Sequence, residues 1–119
     1  HAALLAGDAL RSGLQRARVL AQRGSGCALL LDTDAVRARS ASLDLEIIAP
    51  LPPGWSLSAR NTLGEPVSGS LRIDRDGISI DLDLELTSAR GERVRIAVLG
   101  ISGQSRELKP DERAAVSKP

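Results

Sequence analysis

The feature that most constrains this chain is a single amphipathic helical stretch followed only by strand-like segments. Leu10, Leu14, Ala17 and Ala21 fall at i, i+4, i+7 and i+11, one face of a helix over residues 3–23. Leu20 widens that stripe, and Leu4 and Leu5 extend it towards the N-terminus. Arg11, Gln15, Arg18 and Gln22 repeat the same spacing one residue on and form a polar side. Gly13 costs the helix about 1 kcal/mol relative to Ala. Arg23 suits the last turn, and Gly24 is expected to end the helix as a left-handed C-cap.

The strand signals follow in order. Residues 27–31 (CALLL) predict a short buried strand bounded by Gly26 and Asp32. Residues 32–42 carry no clear period. In LDLEII, Leu43, Leu45 and Ile47 alternate with Asp44 and Glu46, until Pro50, Pro52, Pro53 and Gly54 end the run. WSLSA at 55–59 alternates again, and residues 60–69 read as a loop. Asp76-Gly77 between LRID and ISIDLDLEL predicts a hairpin. In that reading Ile78, Ile80, Leu82, Leu84 and Leu86 face the core. The turn at 88–92 leads to Val94, Ile96 and Val98 on a third strand, giving a C-terminal three-stranded meander. The acidic outer row of Asp81, Asp83 and Glu85 is then expected to pair with Arg93 and Arg95 across the sheet, with about 0.2–1 kcal/mol per exposed pair. The fold class is therefore α+β, one N-terminal amphipathic helix followed by an antiparallel β-rich remainder.

The chain reads as one domain over 3–108, helix 3–23 and β-rich 27–106, with a polar tail at 109–119. Residues 1–2 read as a tag remnant or cloning scar. A chain without methionine that starts on His1 reads as a processed or truncated fragment.

The residue inventory argues against enzyme chemistry. His1 is the sole histidine and Cys27 the sole cysteine, which removes Ser–His and Cys–His catalysis and a multi-cysteine zinc site. No phosphate-cradling glycine motif is present. Asp74, Asp76 and Gly77 have the start of a calcium loop, and Glu85 falls at its twelfth position, but the alternating run between them is a strand that cannot wrap an ion. No catalytic, cofactor-binding or metal-binding residue is assigned, and no cofactor is expected. Trp55 is the only aromatic, so stacking surfaces for single-stranded nucleic acid are almost absent. The net charge of +1 does not favour nucleic acid or membrane either. Basic residues gather on the helix (Arg11, Arg16, Arg18, Arg23) and near the C-terminus (Arg106, Lys109, Arg113, Lys118), where Glu107, Asp111 and Glu112 interrupt them.

The segment LRSGLQRARVLAQRGSGCALLL resembles the GspH/FimT family of minor pseudopilins and minor pilins, whose members carry the pattern L-x-x-A-L-x-x-A-R-x-x-A-x-x-R-G-x-x-V-x-L. Leu10, Leu14, Ala17, Arg18, Ala21, Arg23, Gly24, Leu29 and Leu31 fall into or near it, and Gly13 stands where alanine is common. Trp55, Asp74–Gly77 and the Gly100–Ser102–Gly103 turn are similar to later features of that family. The resemblance implies a type IV pilin-like fold, in which Leu10, Leu14, Ala17 and Ala21 dock the helix on the sheet. It implies a non-enzymatic structural subunit of a periplasmic filament in type II secretion or a related pilus. Its partners would be other pseudopilins or pilins, met through Arg11 and Arg18. A preceding apolar helix half, absent here, would anchor the protein in the inner membrane. The alternative within the family is a FimT-like minor pilin that binds DNA through Arg106 and Lys109, although the ending departs from the GRxR type. A third reading is an unrelated small α+β binding or adhesion module.

Overall fold

A computed structural model describes residues 2–78, 80–100 and 104–109. His1 and the tail 110–119 lie outside the described residues, as do residues 101–103 of the C-terminal glycine turn. Helix α1 (Ala2–Arg23) is followed by β1 (Cys27–Leu31), β2 (Ala35–Ser40), β3 (Leu45–Pro50), β4 (Trp55–Arg60), β5 (Ser70–Asp74), β6 (Gly77–Ile78), β7 (Leu82–Ser88), β8 (Arg93–Val98) and β9 (Ser105–Leu108). The strands form two antiparallel sheets, ordered β3-β2-β1-β5-β6 and β4-β7-β8-β9. The molecule is thus α+β, with one N-terminal helix packed on two antiparallel sheets.

The helix is seated by its small residues. Leu10, Ala17 and Ala21 are completely buried, and Leu14 nearly so. Each fully buried Leu contributes about 1.5–3 kcal/mol. At Gly13 the helix comes so close to the first sheet that an added Cβ would stand 3.0 Å from Ala49 Cβ and 3.2 Å from Val36 Cβ. At Gly7 the same helix reaches the second sheet, where a Cβ would sit at ordinary contact, 3.8 Å from Val94 Cγ1. One apolar cluster joins α1 to Leu29, Val36 and Ile73 of the first sheet and to Leu57, Leu84, Leu86 and Ile96 of the second.

The exit from the helix is built differently from the expected C-cap. Gly24 does not take the left-handed conformation; Gly26 does, with φ of 88°. Gly24 is required for closeness, since a Cβ there would lie 2.7 Å from Ser40 Oγ and 2.8 Å from Ser42 Oγ. The Gly24 N–H donates to the Leu20 carbonyl and the Gly26 N–H to the Ala21 carbonyl, both at 3.1 Å. Ser25 N–H donates to Ser42 Oγ at 3.1 Å, and buried Ser40 accepts from Leu43 N–H at 3.2 Å. The helix end is therefore plugged into the β2–β3 turn.

Four expectations need correction. The run 78–86 is not one strand. β6 ends at Ile78 in the first sheet and β7 begins at Leu82 in the second, with Ile80 exposed between them. The chain changes sheets there, and the crossing is held by Gly100 N–H donating to Asp81 Oδ1 at 2.6 Å. Period-two alternation survives such a crossing because it records parity, not partners. The C-terminal meander is accordingly β7-β8-β9; β5 pairs with β1 and β6 instead. Leu43 and Leu45 are largely exposed, because residues 41–44 form a turn and β3 is the end strand of its sheet. The CALLL strand is only half buried, with Cys27 and Leu29 inward and Ala28 outward. Residues 35–40, without a clear period in the sequence, form β2, with Val36, Ala38 and Ser40 buried and Arg37 and Arg39 on the other face.

Two glycine substitutions separate packing from propensity. Gly7→Ala is expected to stabilise the protein by about 0.5–1 kcal/mol, the helix-propensity gain at a site with room for a methyl group. Gly13→Leu is expected to destabilise it by about 2 kcal/mol or more through overpacking. Denaturant midpoints of the two variants against wild type measure both.

Candidate functional site

The surface of α1 is asymmetric around its buried face. Leu4 and Leu5 are exposed at 61% and 64% near its start, where the first turn carries no acidic residue. Arg11 and Arg18 lie seven residues apart, two helical turns, and so share one flank of the helix. Their side chains are half-buried, and the Nε atom of each is buried with no hydrogen-bond partner. A buried donor without an acceptor costs roughly 1–3 kcal/mol, so these two groups are poised to gain from an incoming oxygen acceptor. Arg16 and Arg23, also seven apart, are exposed on the opposite flank, which faces β3. Among the described residues none of these four arginines forms an ion pair.

Beside Arg16 and Arg23 runs an open groove of about 360 Å³, walled by Val19 and Leu20 of α1 and by Leu43, Leu45 and Ile47 along the β3 edge. A second hollow, about 300 Å³, lies at the helix exit around Ser25, Cys27, Ala28, Arg39, Ser42 and Arg72. A third, about 290 Å³, sits at the helix start around Ala2, Pro53, Trp55, Ser88 and Arg90.

The sequence reading did not single out the arginine row on the helix-free face of the first sheet. Ala28 of β1 lies between Arg39 of β2 and Arg72 of β5, and Arg37 lies one step along, opposite Leu30. Alternation in AVRARS put two of them on one side, but only the strand order adds Arg72. Each has a carboxylate: Arg37 with Asp32, Arg39 with Asp44 at 3.8 Å, and Arg72 with Asp74 at 3.3 Å. This row is charge-matched and is not a polyanion site. On β7 and β8, Arg93 bonds Glu85 at 2.6 Å and Arg95 bonds Asp83 at 3.3 Å. Both pairs run diagonally, since Glu85 stands directly opposite Arg95 and Thr87 opposite Arg93.

Arg106 lies on β9, opposite Ala97, with Lys109 just beyond the strand. The two are exposed, and Glu107 stands between them. No group of three or more His, Cys, Asp or Glu side chains able to hold a metal ion occurs among the described residues. No helix there is long and apolar enough to cross a membrane. Asp74 and Gly77 pair across the β5–β6 hairpin, and Glu85 belongs to the other sheet, so they do not converge as calcium ligands.

Cys27 is buried at 2% exposure, and its thiol lies 3.4 Å from the Ala17 carbonyl. Burial pushes its pKa up, with the Arg72 guanidinium pulling weakly the other way. The thiol is therefore protonated and sheltered at neutral pH, unlike a reactive cysteine.

A comparison of the chain with protein-family models, curated proteins and solved structures finds no match in any of the three.

Iodoacetamide at pH 8 is expected to alkylate Cys27 at least about tenfold more slowly in the folded protein than in denaturant, because only the accessible thiolate reacts. A raised pKa in the folded state stabilises the fold below the thiol's ordinary value, and that contribution is lost as pH rises through the raised one. Wild type should therefore lose stability relative to Cys27→Ala as pH rises above the ordinary thiol value of 9.0, measured by denaturant titration at each pH.

Proposed function

We propose that this chain is the globular domain of a non-enzymatic filament subunit of the minor-pseudopilin kind, with a type IV pilin-like fold. It works in the bacterial periplasm by packing against neighbouring pseudopilins or pilins. The reading rests on the outward flanks of α1. A helix that only closed a core would be solvated on its outer side, whereas this one carries exposed Leu4 and Leu5 and two half-buried arginines lacking acceptors. Such groups are satisfied when a neighbouring subunit supplies apolar surface and carboxylate or carbonyl oxygens. The resemblance of residues 10–31 to the GspH/FimT pattern supports the same reading. In it, an apolar helical stretch precedes α1 in the full protein and holds it in the inner membrane until assembly.

Two measurements test this. Full-length protein, expressed with and without a prepilin peptidase, should shorten by a leader only when the peptidase is present; no processing contradicts the proposal. Arg11→Gln with Arg18→Gln keeps part of each side-chain stem, removes both unpaired Nε donors and should leave the domain no less stable than wild type. Incorporation of this double variant into sheared filaments should fall about tenfold or more, given that a hydrogen bond to a charged group contributes roughly 1.5–3 kcal/mol. Normal incorporation would remove the arginine flank from the interface.

A further inference from the structure

The two sheets end in unlike ways. The outer edge of β4 is covered by the chain itself: Trp55 N–H donates to Pro52 O at 3.2 Å, Leu57 N–H to Thr33 O at 2.8 Å, and Val67 N–H to Ala59 O at 2.9 Å. β3 pairs only with β2, and no strand among the described residues pairs with its other side. Leu45 is 53% and Ile48 47% exposed on it, with Glu46 its only charge and Pro50 at its end. A largely apolar six-residue edge beside a groove is the geometry that accepts an added strand, whose backbone gives affinity and whose alternate side chains give specificity.

The groove's charge says what that strand carries. Arg16 and Arg23 stand on its helix wall with no ion pair among the described residues. Seven residues of helix separate them, about 10 Å, which is the reach of roughly three residues of extended chain. Glu46 is the one acidic residue on the lining, and it lies across from Arg39 of β2. A second copy of this chain is a poor occupant. Pairing two β3 edges about a two-fold axis would bring two like-charged helix flanks together, each carrying Arg16 and Arg23.

We propose that the groove between α1 and β3 takes an extended segment of a different protein, added as a strand along β3. Its apolar side chains alternate into the groove, and its Asp or Glu residues meet Arg16 and Arg23. This goes beyond the filament reading, which concerns the opposite flank of the helix, and does not depend on it.

The probe is a displayed library of random dodecapeptides, panned against the purified protein, with enriched peptides resynthesised and labelled. The expected result is enrichment of peptides alternating aliphatic residues with at least one Asp or Glu. Their binding should shift the backbone amide signals of residues 45–49 first. Arg16→Glu with Arg23→Glu, at exposed helix positions, should keep the fold by circular dichroism, weaken binding by about tenfold or more and turn the selection towards basic peptides. Leu45→Lys should weaken it similarly. The proposal is overturned by no enrichment, by peptides lacking acidic residues, or by amide shifts elsewhere. A wild-type dimer in sedimentation that Leu45→Lys dissolves also overturns it, because a second copy would then fill the groove.

Discussion

The rest of the structure depends on how closely α1 can approach the sheets. Close approach needs residues with little or no side chain on the buried face, and the helix supplies Ala6, Gly7, Gly13, Ala17 and Ala21 there. Gly13 sets the tightest point, against Val36 and Ala49, and Gly7 lets the same helix touch β8. Leu10 and Leu14, between them, fill the space where the sheets meet the helix. A core without Phe, Tyr or Met, in which Trp55 is the one aromatic, is built mainly of aliphatic side chains, so helix and sheets must lie near each other to leave no void. The helix-propensity cost of Gly13 is offset by that closeness, whereas Gly7 leaves room for a methyl group.

The same logic fixes the helix exit. Gly24 is pressed against Ser40 and Ser42, and Arg72 Nη2 donates to the Ser25 carbonyl at 2.6 Å. β2, the β2–β3 turn and β5 are thereby tied to the exit of α1, and the direction in which β1 leaves is set. With its C-terminal end immobilised, the helix holds two flanks at fixed positions: one with Arg11 and Arg18, the other facing the β3 groove. The surface that could bind something is thus a by-product of the packing that holds the core.

What was legible in the sequence were the patterns local to one element. The stripe of Leu10, Leu14, Ala17 and Ala21 needs only the helical period to be seen. The alternation of Leu82, Leu84 and Leu86, or of Val94, Ile96 and Val98, needs only the strand period. Partnership was not legible. Residues 78–86 alternate without a break, yet the chain leaves one sheet and enters another within them, since parity carries no information about which strand lies alongside. Leu43 and Leu45 read as core until β3 is known to be an end strand. Gly24 read as a conformational requirement, whereas its role is steric and set by serines sixteen and eighteen residues further on. The site was legible in part for the same reason. Arg11 and Arg18 share a face by spacing alone, while the groove beside Arg16 and Arg23 exists only once β3 lies next to α1.

Helix α1 packs on both sheets, and neither sheet is expected to be stable without it. Native-state hydrogen exchange, followed residue by residue with rising denaturant, tests this most directly. The most protected amides of α1 (residues 10–21), of β2 and of β8 are expected to converge on one opening free energy equal to that of global unfolding. Persistent protection of β7 and β8 after α1 has opened, with a separate lower free energy for the helix and the first sheet, would contradict it.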